Sequence, residues 1–416
     1  MYDIIVVGGG PAGMIAAGTA GSLGANVLLL EKMEKPARKL RITGKGRCNI
    51  TNTADTERFI SKIRAGGEFV GSAYKAFDNR ATIGFLEEIG LPLTIERGER
   101  VFPQSGRAQD VANAIENWIS KQNVAIRCNV QVKDIIANKS NACSVVAASG
   151  EVIECHAVIL ATGGVSYPST GSDGDGHEIA DALGHEIIPL RPALVPLSTN
   201  ESLDTLAGLE LRNVEVTLMS DGKAIDSRFG ELTFYKNAIS GPTVIALSRM
   251  AVDAIINNKK VSLLVDTKPA LTQLKIANRI KREMDLIPDA PIKVLLDKLL
   301  PRPLHYKILS ATGISRKTVV KELIDTEIET LTKALKGVTF RIIDYRPFAE
   351  AIVTAGGVST KEIDPETMQS KIVKNIFFAG ELMDIDADTG GYNIQLAIST
   401  GHLSGVSAVK YVMEGK

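Results

Sequence analysis

Gly8-Gly9-Gly10-Pro11-Ala12-Gly13 joins two stretches of opposite character. Before it, Tyr2 to Val7 is β-branched and apolar, as a strand buried on both faces of a parallel sheet requires. After it, Met14 to Leu23 reads as a small-residue helix. Gly8, Gly10 and Gly13 occupy the three fixed places of G-x-G-x-x-G. The first permits a tight turn, the second lets a pyrophosphate approach the backbone, and the third lets helix and strand pack closely. Pro11 and Ala12 then open a helix whose N-terminal N–H groups face the phosphates. Further out, a second apolar strand, Asn26 to Leu30, ends at Glu31, 18 residues beyond Gly13. An acid there accepts hydrogen bonds from ribose hydroxyls. This order of strand, turn, helix, strand and acid predicts a dinucleotide site and leaves FAD and NAD both open.

Two later segments decide between them. Ala157-Val158-Ile159-Leu160-Ala161-Thr162-Gly163-Gly164 is an apolar strand closing on a glycine turn. Ile376-Phe377-Phe378-Ala379-Gly380-Glu381 is another strand, followed by Asp388-Thr389-Gly390-Gly391-Tyr392-Asn393 and an alanine-rich helix from Ile394 to Ser404. The A-T-G-G and F-A-G-E segments resemble the further FAD-contacting motifs of the glutathione-reductase-like flavoprotein fold. That resemblance implies a last motif closing over the ribityl chain, with a helix N-terminus aimed at the flavin.

A narrower resemblance rests on longer stretches. Arg38-Lys39-Leu40-Arg41-Ile42-Thr43-Gly44-Lys45-Gly46-Arg47-Cys48-Asn49-Ile50-Thr51-Asn52 is similar to the R-K-L-x-I-S/T-G-x-G-R-C-N-x-T-N signature of the BaiN/RdsA-like (YhiN-like) flavoproteins. So are Tyr167 to Gly176, Arg191-Pro192-Ala193-Leu194-Val195-Pro196-Leu197, Ala355-Gly356-Gly357-Val358 and the D-x-D-x-x-T-G-G-Y-N segment from Asp384. One stretch departs from the pattern: Phe234 to Pro242 keeps Ser240-Gly241-Pro242 but lacks the preceding Thr and Gly. The resemblance implies tightly bound FAD. Beyond the glycine turn and Glu31, it implies cofactor contacts at Lys32, Lys39, Gly44, Arg47, Cys48, Asn49 and Val132. It adds Ala161, Thr162 and Gly163 in the second motif, and Gly380, Glu381, Asp388, Gly390, Gly391, Tyr392, Asn393 and Ile394 in the third. Asn49 and Asn393 are expected to hydrogen-bond the flavin ring.

The fold expected is α/β: a discontinuous Rossmann-like FAD-binding domain of the glutathione-reductase-like kind, from 1–190 and 346–416. Residues 191–345 form an inserted β-barrel-like and helical cap domain, with strands over about 195–267 and helices over about 271–336, broken by Pro288, Pro291, Pro301 and Pro303. The Arg191-Pro192 and Arg346-Pro347 dipeptides mark the two crossings.

Composition narrows the function classes. The 416 residues carry 48 Lys+Arg against 48 Asp+Glu, so no bulk charge argues for nucleic acid or an anionic membrane. The basic residues are nevertheless local. Residues 260–345 hold 16 Lys+Arg and 10 Asp+Glu, and 35–52 hold six basic residues and no acid; a polyanion-binding lip is one reading of these clusters. The cysteines, Cys48, Cys128, Cys143 and Cys155, form no C-x-x-C pair and have no His at ligand spacing, so no metal site is expected. No apolar run reaches membrane-spanning length and no leader is evident, so a cytoplasmic location with reduced thiols is expected.

The family resemblance implies NAD(P)H-driven reduction of a C=C bond conjugated to a carbonyl. The acceptor is either uracil in structured ribosomal RNA or a small 3-oxo-Δ4 steroid-like enone. With no second glycine fingerprint in the insertion, the nicotinamide is a transient donor. Cys48, next to Arg47 and Lys45, and Tyr392 are the candidate proton donors. The competing reading is a non-catalytic flavin-bearing protein that binds RNA or senses redox state.

Overall fold

The computed structural model describes residues 1–137 and 143–414. The chain forms two compact units, Met1–Pro192 with Phe348–Lys416, and Ala193–Pro347.

The first unit is built on one sheet. Val124–Arg127, Val27–Leu30, Tyr2–Val7, Val152–Leu160 and Ile376–Phe378 run parallel in that spatial order. The N-terminal part of Val152–Leu160 also starts an antiparallel meander through Cys143–Ala147 to Val132–Ala137. Apolar runs without alternation suit strands covered on both faces, and Ile4, Ile5, Val6, Leu28, Leu29, Val158 and Ile159 are fully buried. The helix Pro11–Ser22 has ten buried residues of twelve, because the sheet lies on one side and the long closing helix Tyr392–Glu414 on the other. Small residues permit this closeness: a Cβ on Gly401 would stand 2.3 Å from the Ala12 carbonyl oxygen. Cys143 and Cys155 face each other across the meander with their sulfurs 3.3 Å apart, both buried thiols.

The second unit is a closed barrel in the order Leu197–Thr199, Ala238–Ser240, Lys223–Phe234, Glu210–Ser220, Val261–Asp266 and Val338–Tyr345, which returns to Leu197–Thr199. Four helices, Gln273–Leu286, Ile292–Asp297, His305–Thr312 and Asp325–Lys336, fill the connection between the last two of these strands. The Rossmann-type sheet and the barrel agree with the fold class expected from sequence. One element does not: Pro242–Ile256 is a helix inside the stretch expected to be strands. Its run Val244-Ile245-Ala246-Leu247 is apolar on successive residues, and burial extends around most of the helix, so the 3.6-residue period is masked. The departing residues Tyr235, Lys236 and Asn237 form the exposed tip of a hairpin closed by Tyr235 N–H donating to the Ala238 carbonyl at 2.8 Å. Among the described residues, no helix is long and apolar enough to cross a membrane.

Behind the first unit's sheet, His185 Nε2 lies 2.9 Å from Ser370 Oγ, and its Nδ1 lies 3.2 Å from Glu362 Oε2. The order resembles nucleophile, base and orienting acid. However, Ser370 is 4% exposed and its Oγ accepts the Ile372 and Val373 amides, so the trio is a strut. Burial pushes His185 below its ordinary value of 6.5 despite Glu362, and does the same to His177 and His402. These histidines are therefore neutral in the fold and take up protons on unfolding below pH 6.5. Their stabilising contribution is present above that pH and is lost as pH falls toward the folded-state values. We expect urea midpoints at pH 5.5 to lie well below those at pH 7.5, by up to about 1.4 kcal/mol per histidine. Calorimetry in buffers of different ionisation enthalpy would read the proton uptake, and a pH-independent midpoint would contradict the account.

Candidate functional site

Three stretches meet at the carboxyl ends of the parallel strands in the first unit. Gly8 continues Tyr2–Val7 at φ +106°, its N–H donating to the Leu30 carbonyl at 2.8 Å. A Cβ on Gly8 would lie 2.5 Å from the Ala161 carbonyl oxygen, and one on Gly13 would lie 1.9 Å from the Gly8 carbonyl oxygen. Gly10 is different: a Cβ there meets no atom within 4 Å. Two glycines are therefore forced by protein packing, and the third faces open space at the N-terminus of the helix Pro11–Ser22, whose first turn carries no acid. That is a cradle in which backbone N–H groups remain available to an anion.

Glu31 braces this turn. Its Oε2 accepts from Gly9 N–H and its Oε1 from Met33 N–H, each at 2.8 Å. A carboxylate with further lone pairs can still accept from a ribose. Lys32 turns to Asp173 and Asp175, the latter at 2.8 Å. Beside it lies a cleft of about 630 Å³ lined by Lys32, Met33, Asn129, Val130, Gln131 and Asp173 among others. Val132 borders these residues in sequence, but its side chain packs in the core.

The second stretch follows Val152–Leu160. Ala161 N–H donates to the Val7 carbonyl at 2.9 Å, which seats Ala161 and Thr162 beside Gly8. Thr162 Oγ1 is buried without a hydrogen-bond partner among the described residues. The third stretch enters when Ala379 N–H donates to the Leu160 carbonyl at 2.9 Å. Glu381 then sits in a polar knot: Thr354 N–H and Ser166 Oγ reach Oε1 at 2.7 and 3.1 Å, and Lys39 Nζ reaches Oε2 at 2.8 Å. Gly391 presses on the Thr51 backbone, where a Cβ would come within 2.5 Å of the carbonyl. Arg64 grips Asp388 bidentately at 2.6 and 2.8 Å.

The structure shows what holds several of the expected site residues. Asn393 binds Ala387 through both its N–H and its carbonyl and also reaches the Asp388 carbonyl, so its amide staples its own loop. With its amide turned to the orientation that satisfies both ends, Asn49 donates to the Thr51 and Val101 carbonyls and accepts from Gly391 N–H, tying the G-R-C-N loop to the T-G-G-Y-N loop. Arg47 stacks on Phe102 and pairs with Glu96, away from the Cys48 thiol. Cys48 is fully buried, and burial pushes its thiol up to about 12, the reverse of the acidification expected from its basic neighbours. Tyr392 packs edge-on against Phe59, with ring centres 4.9 Å apart, and burial raises its phenol above the ordinary value. Gly44, Lys45, Gly46 and Cys48 all have positive φ, so the loop before Asn49 is held in a left-handed course by its surroundings. Ile394 packs its side chain into the core at the start of the closing helix.

Four of the six basic residues in 35–52 form ion pairs: Arg38–Glu34, Lys39–Glu381, Arg41–Glu116 and Arg47–Glu96. Sequence reasoning missed Arg64 and Ser166, whose acidic partners lie 324 and 215 residues away in the chain, and Thr354, 27 residues before Glu381. It also missed His177, which is 5% exposed, lies beside Glu381 and has both ring nitrogens unpartnered among the described residues. Among the described residues, no group of three or more His, Cys, Asp or Glu is placed to hold a metal ion.

The chain is similar along nearly its whole length to known proteins. Over 99% of its length, the chain is 31% identical to the 3-dehydro-bile acid delta(4,6)-reductase of Clostridium scindens, covering all of that protein. It is 28% identical to the ribosomal RNA dihydrouridine synthase of Haemophilus influenzae, over 97% of each chain. A 3-ketosteroid-delta4-(5alpha)-dehydrogenase structure from Rhodococcus jostii shares the fold at TM-score 0.54 and 14% identity, over 98% of this chain and 96% of that one. The HI0933-like protein Rossmann domain model matches residues 2–407. The chain belongs to the HI0933-like Rossmann family.

Proposed function

We propose that this protein is an FAD-dependent oxidoreductase that takes electrons from NAD(P)H and reduces a C=C bond conjugated to a carbonyl in a small, steroid-like enone. The observation that carries the reading is the Gly10 cradle. Its neighbours Gly8 and Gly13 are closed by protein atoms while Gly10 faces open space, with the orphaned Thr162 hydroxyl and the Glu381 knot on the adjoining strand ends. When bound, FAD supplies hydride at a ring nitrogen.

The chain's own residues do the rest. Gly10 and the first turn of Pro11–Ser22 receive the pyrophosphate, and Glu31 takes the ribose. Glu381, fixed by Thr354 and Lys39, offers acceptors to the sugar-alcohol chain. The N-terminus of Tyr392–Glu414 would favour an anionic group held against it. Tyr392 is the proton donor on the strength of its place, the first residue of the closing helix directly after Gly390-Gly391; burial raises its phenol, so it holds its proton at neutral pH and gives it up only as charge develops on the acceptor. Cys48 is packing. The nicotinamide visits, reacts and leaves before the acceptor enters. A cytoplasmic setting suits this donor and four cysteines that form no disulfide.

Both named relatives act on rings, one in a bile acid and one in RNA. The ion pairing of 35–52 favours the small enone, because basic side chains already matched to acids offer less to a phosphate backbone. The test is anaerobic. Enzyme reduced with NADH or NADPH is mixed with a 3-oxo-Δ4 steroid acid or with ribosomal RNA, and flavin reoxidation is timed. Rapid reoxidation by the steroid alone is expected. Rapid reoxidation by RNA alone would reverse the substrate assignment, and no bleaching by either nucleotide would leave the non-catalytic reading.

Two sets of variants follow. Gly10→Val should fold normally yet lose at least about tenfold in FAD retention, whereas Gly13→Ala should fail to fold, its Cβ colliding with the Gly8 carbonyl. Flavin absorbance per folded protein, with circular dichroism, separates the two. Tyr392→Phe should lower kcat by about 10²-fold or more. Cys48→Ala should leave kcat within about threefold while costing roughly 1–2 kcal/mol of stability, and the opposite ranking in stopped-flow traces would return the proton to the thiol.

A further inference from the structure

The strand Lys223–Phe234 pairs with Glu210–Ser220 along one side. On its other side it meets Ala238–Ser240 only at Thr233 and Phe234. From Lys223 to Glu231, that edge pairs with no other strand among the described residues. At the middle of the edge, Ser227 spends its main-chain groups on adjacent side chains. Its N–H donates to Asp226 Oδ1 at 2.8 Å, and its C=O accepts from Arg228 Nη1 at 3.1 Å. Ser227 Oγ lies 2.7 Å from Thr217 Oγ1 on the paired strand, as close side chains in a non-hydrogen-bonded pair do, which turns the Ser227 amide and carbonyl toward the open edge. Two residues to either side, Ile225 and Phe229 are 50% and 62% exposed; the pairing with Glu210–Ser220 shifts register at Ile225, between Asp226 and Ala224.

The residues around Ser227 are symmetric in chemistry. Asp226 precedes it and Arg228 follows, Ile225 is matched by Phe229, and Lys223 is matched by Glu231. If two copies of the strand lie antiparallel about a two-fold axis at Ser227, position 226 faces 228, 225 faces 229 and 223 faces 231. Asp226 and Arg228, already paired with each other within the strand at 2.7 Å, then also face opposite charges across the axis, as Lys223 faces Glu231, and apolar meets apolar. The Ser227 main-chain groups exchange their side-chain partners for each other across the axis. The free edge stops where the Glu231 carbonyl accepts from Thr243 Oγ1 at 2.7 Å.

We propose that this edge is an isologous docking surface for a second copy of the chain, paired strand to strand about Ser227. A strand pair of this length buries less than the about 1,200 Å² of a stable interface, so the dimer is weak and concentration-dependent. The inference is independent of the flavin chemistry.

Sedimentation velocity on the intact protein from about 1 to about 200 µM tests it in the range where so small an interface saturates. A concentration-dependent shift from monomer to dimer is expected. Ile225→Lys should weaken association about tenfold or more, and Ile225→Lys with Phe229→Glu should restore it by placing opposite charges across the axis. Ser227→Cys should yield a disulfide-linked dimer on mild oxidation in a background where the half-buried Cys128 is replaced by serine. These side chains are exposed, so the variants keep the fold, as circular dichroism would verify. Asp226 and Arg228 are half-buried charges of the kind that also keep edge strands apart. A monomer at the highest concentration would assign them that duty and overturn the proposal, as would a dimer unmoved by Ile225→Lys or one that Ser227→Cys fails to trap.

Discussion

The first unit depends on a contact no side chain could survive: Gly13 set against the Gly8 carbonyl, where even a Cβ would approach to 1.9 Å. This closeness fixes how the helix Pro11–Ser22 leaves the first strand, and so where its N-terminal N–H groups point. The Gly8 position in turn rests on Ala161, whose own N–H is held by Val7. Backbone hydrogen bonds then carry the alignment onward, from Leu160 to Ala379, so that the third stretch arrives in register with the first two. A ligand cradle assembled from main chain resists substitution in a way that a side-chain pocket does not, because most of its donors are present at every residue type.

On that rigid frame the charged groups are matched in pairs. Lys39 and Glu381 meet at 2.8 Å with similar, partial exposure, and Ser166 and Thr354 take two further acceptor sites of the carboxylate. Partly buried pairs of this kind add little net stability, but breaking one leaves a charge without a partner. Their value here is positional: Glu381 is held in one orientation at the start of the turn that follows Ile376–Phe378. Arg64 does the same for Asp388 in the loop before the closing helix.

The features legible in sequence were those written in local order. Strand, turn and helix around Gly8 to Gly13 can be read from eight or nine consecutive residues, and Glu31 lies one strand away. The unreadable features needed distant partners. Nothing local says that Asn393 will close on Ala387 or that Asn49 will reach Gly391, since an amide serves a loop and a ligand equally well. Cys48 misled for a related reason. Adjacent Arg47 and Lys45 imply an electropositive thiol only if all the side chains share a face, and the positive φ at Cys48 sends its sulfur into the core while Arg47 turns to Glu96. The helix Pro242–Ile256 was hidden by uniform hydrophobicity, which erases the periodicity that distinguishes helix from strand.

Charge counts along the chain were similarly incomplete. A run of six basic residues without an acid looks like a phosphate-binding lip when acids are sought only among sequence neighbours. The acids that pair with four of the six are Glu34, Glu96, Glu116 and Glu381, three of them from other segments brought alongside by the fold. Each pair converts a diffuse positive potential into a short dipole, whose field decays faster with distance than that of an isolated charge. A large polyanion senses the sum of such fields over its length, whereas a small uncharged ring senses only the few groups it touches. The ion pairs around Arg38 to Arg47 therefore leave less long-range attraction than six isolated charges would, which supports the proposal of a compact enone ahead of RNA.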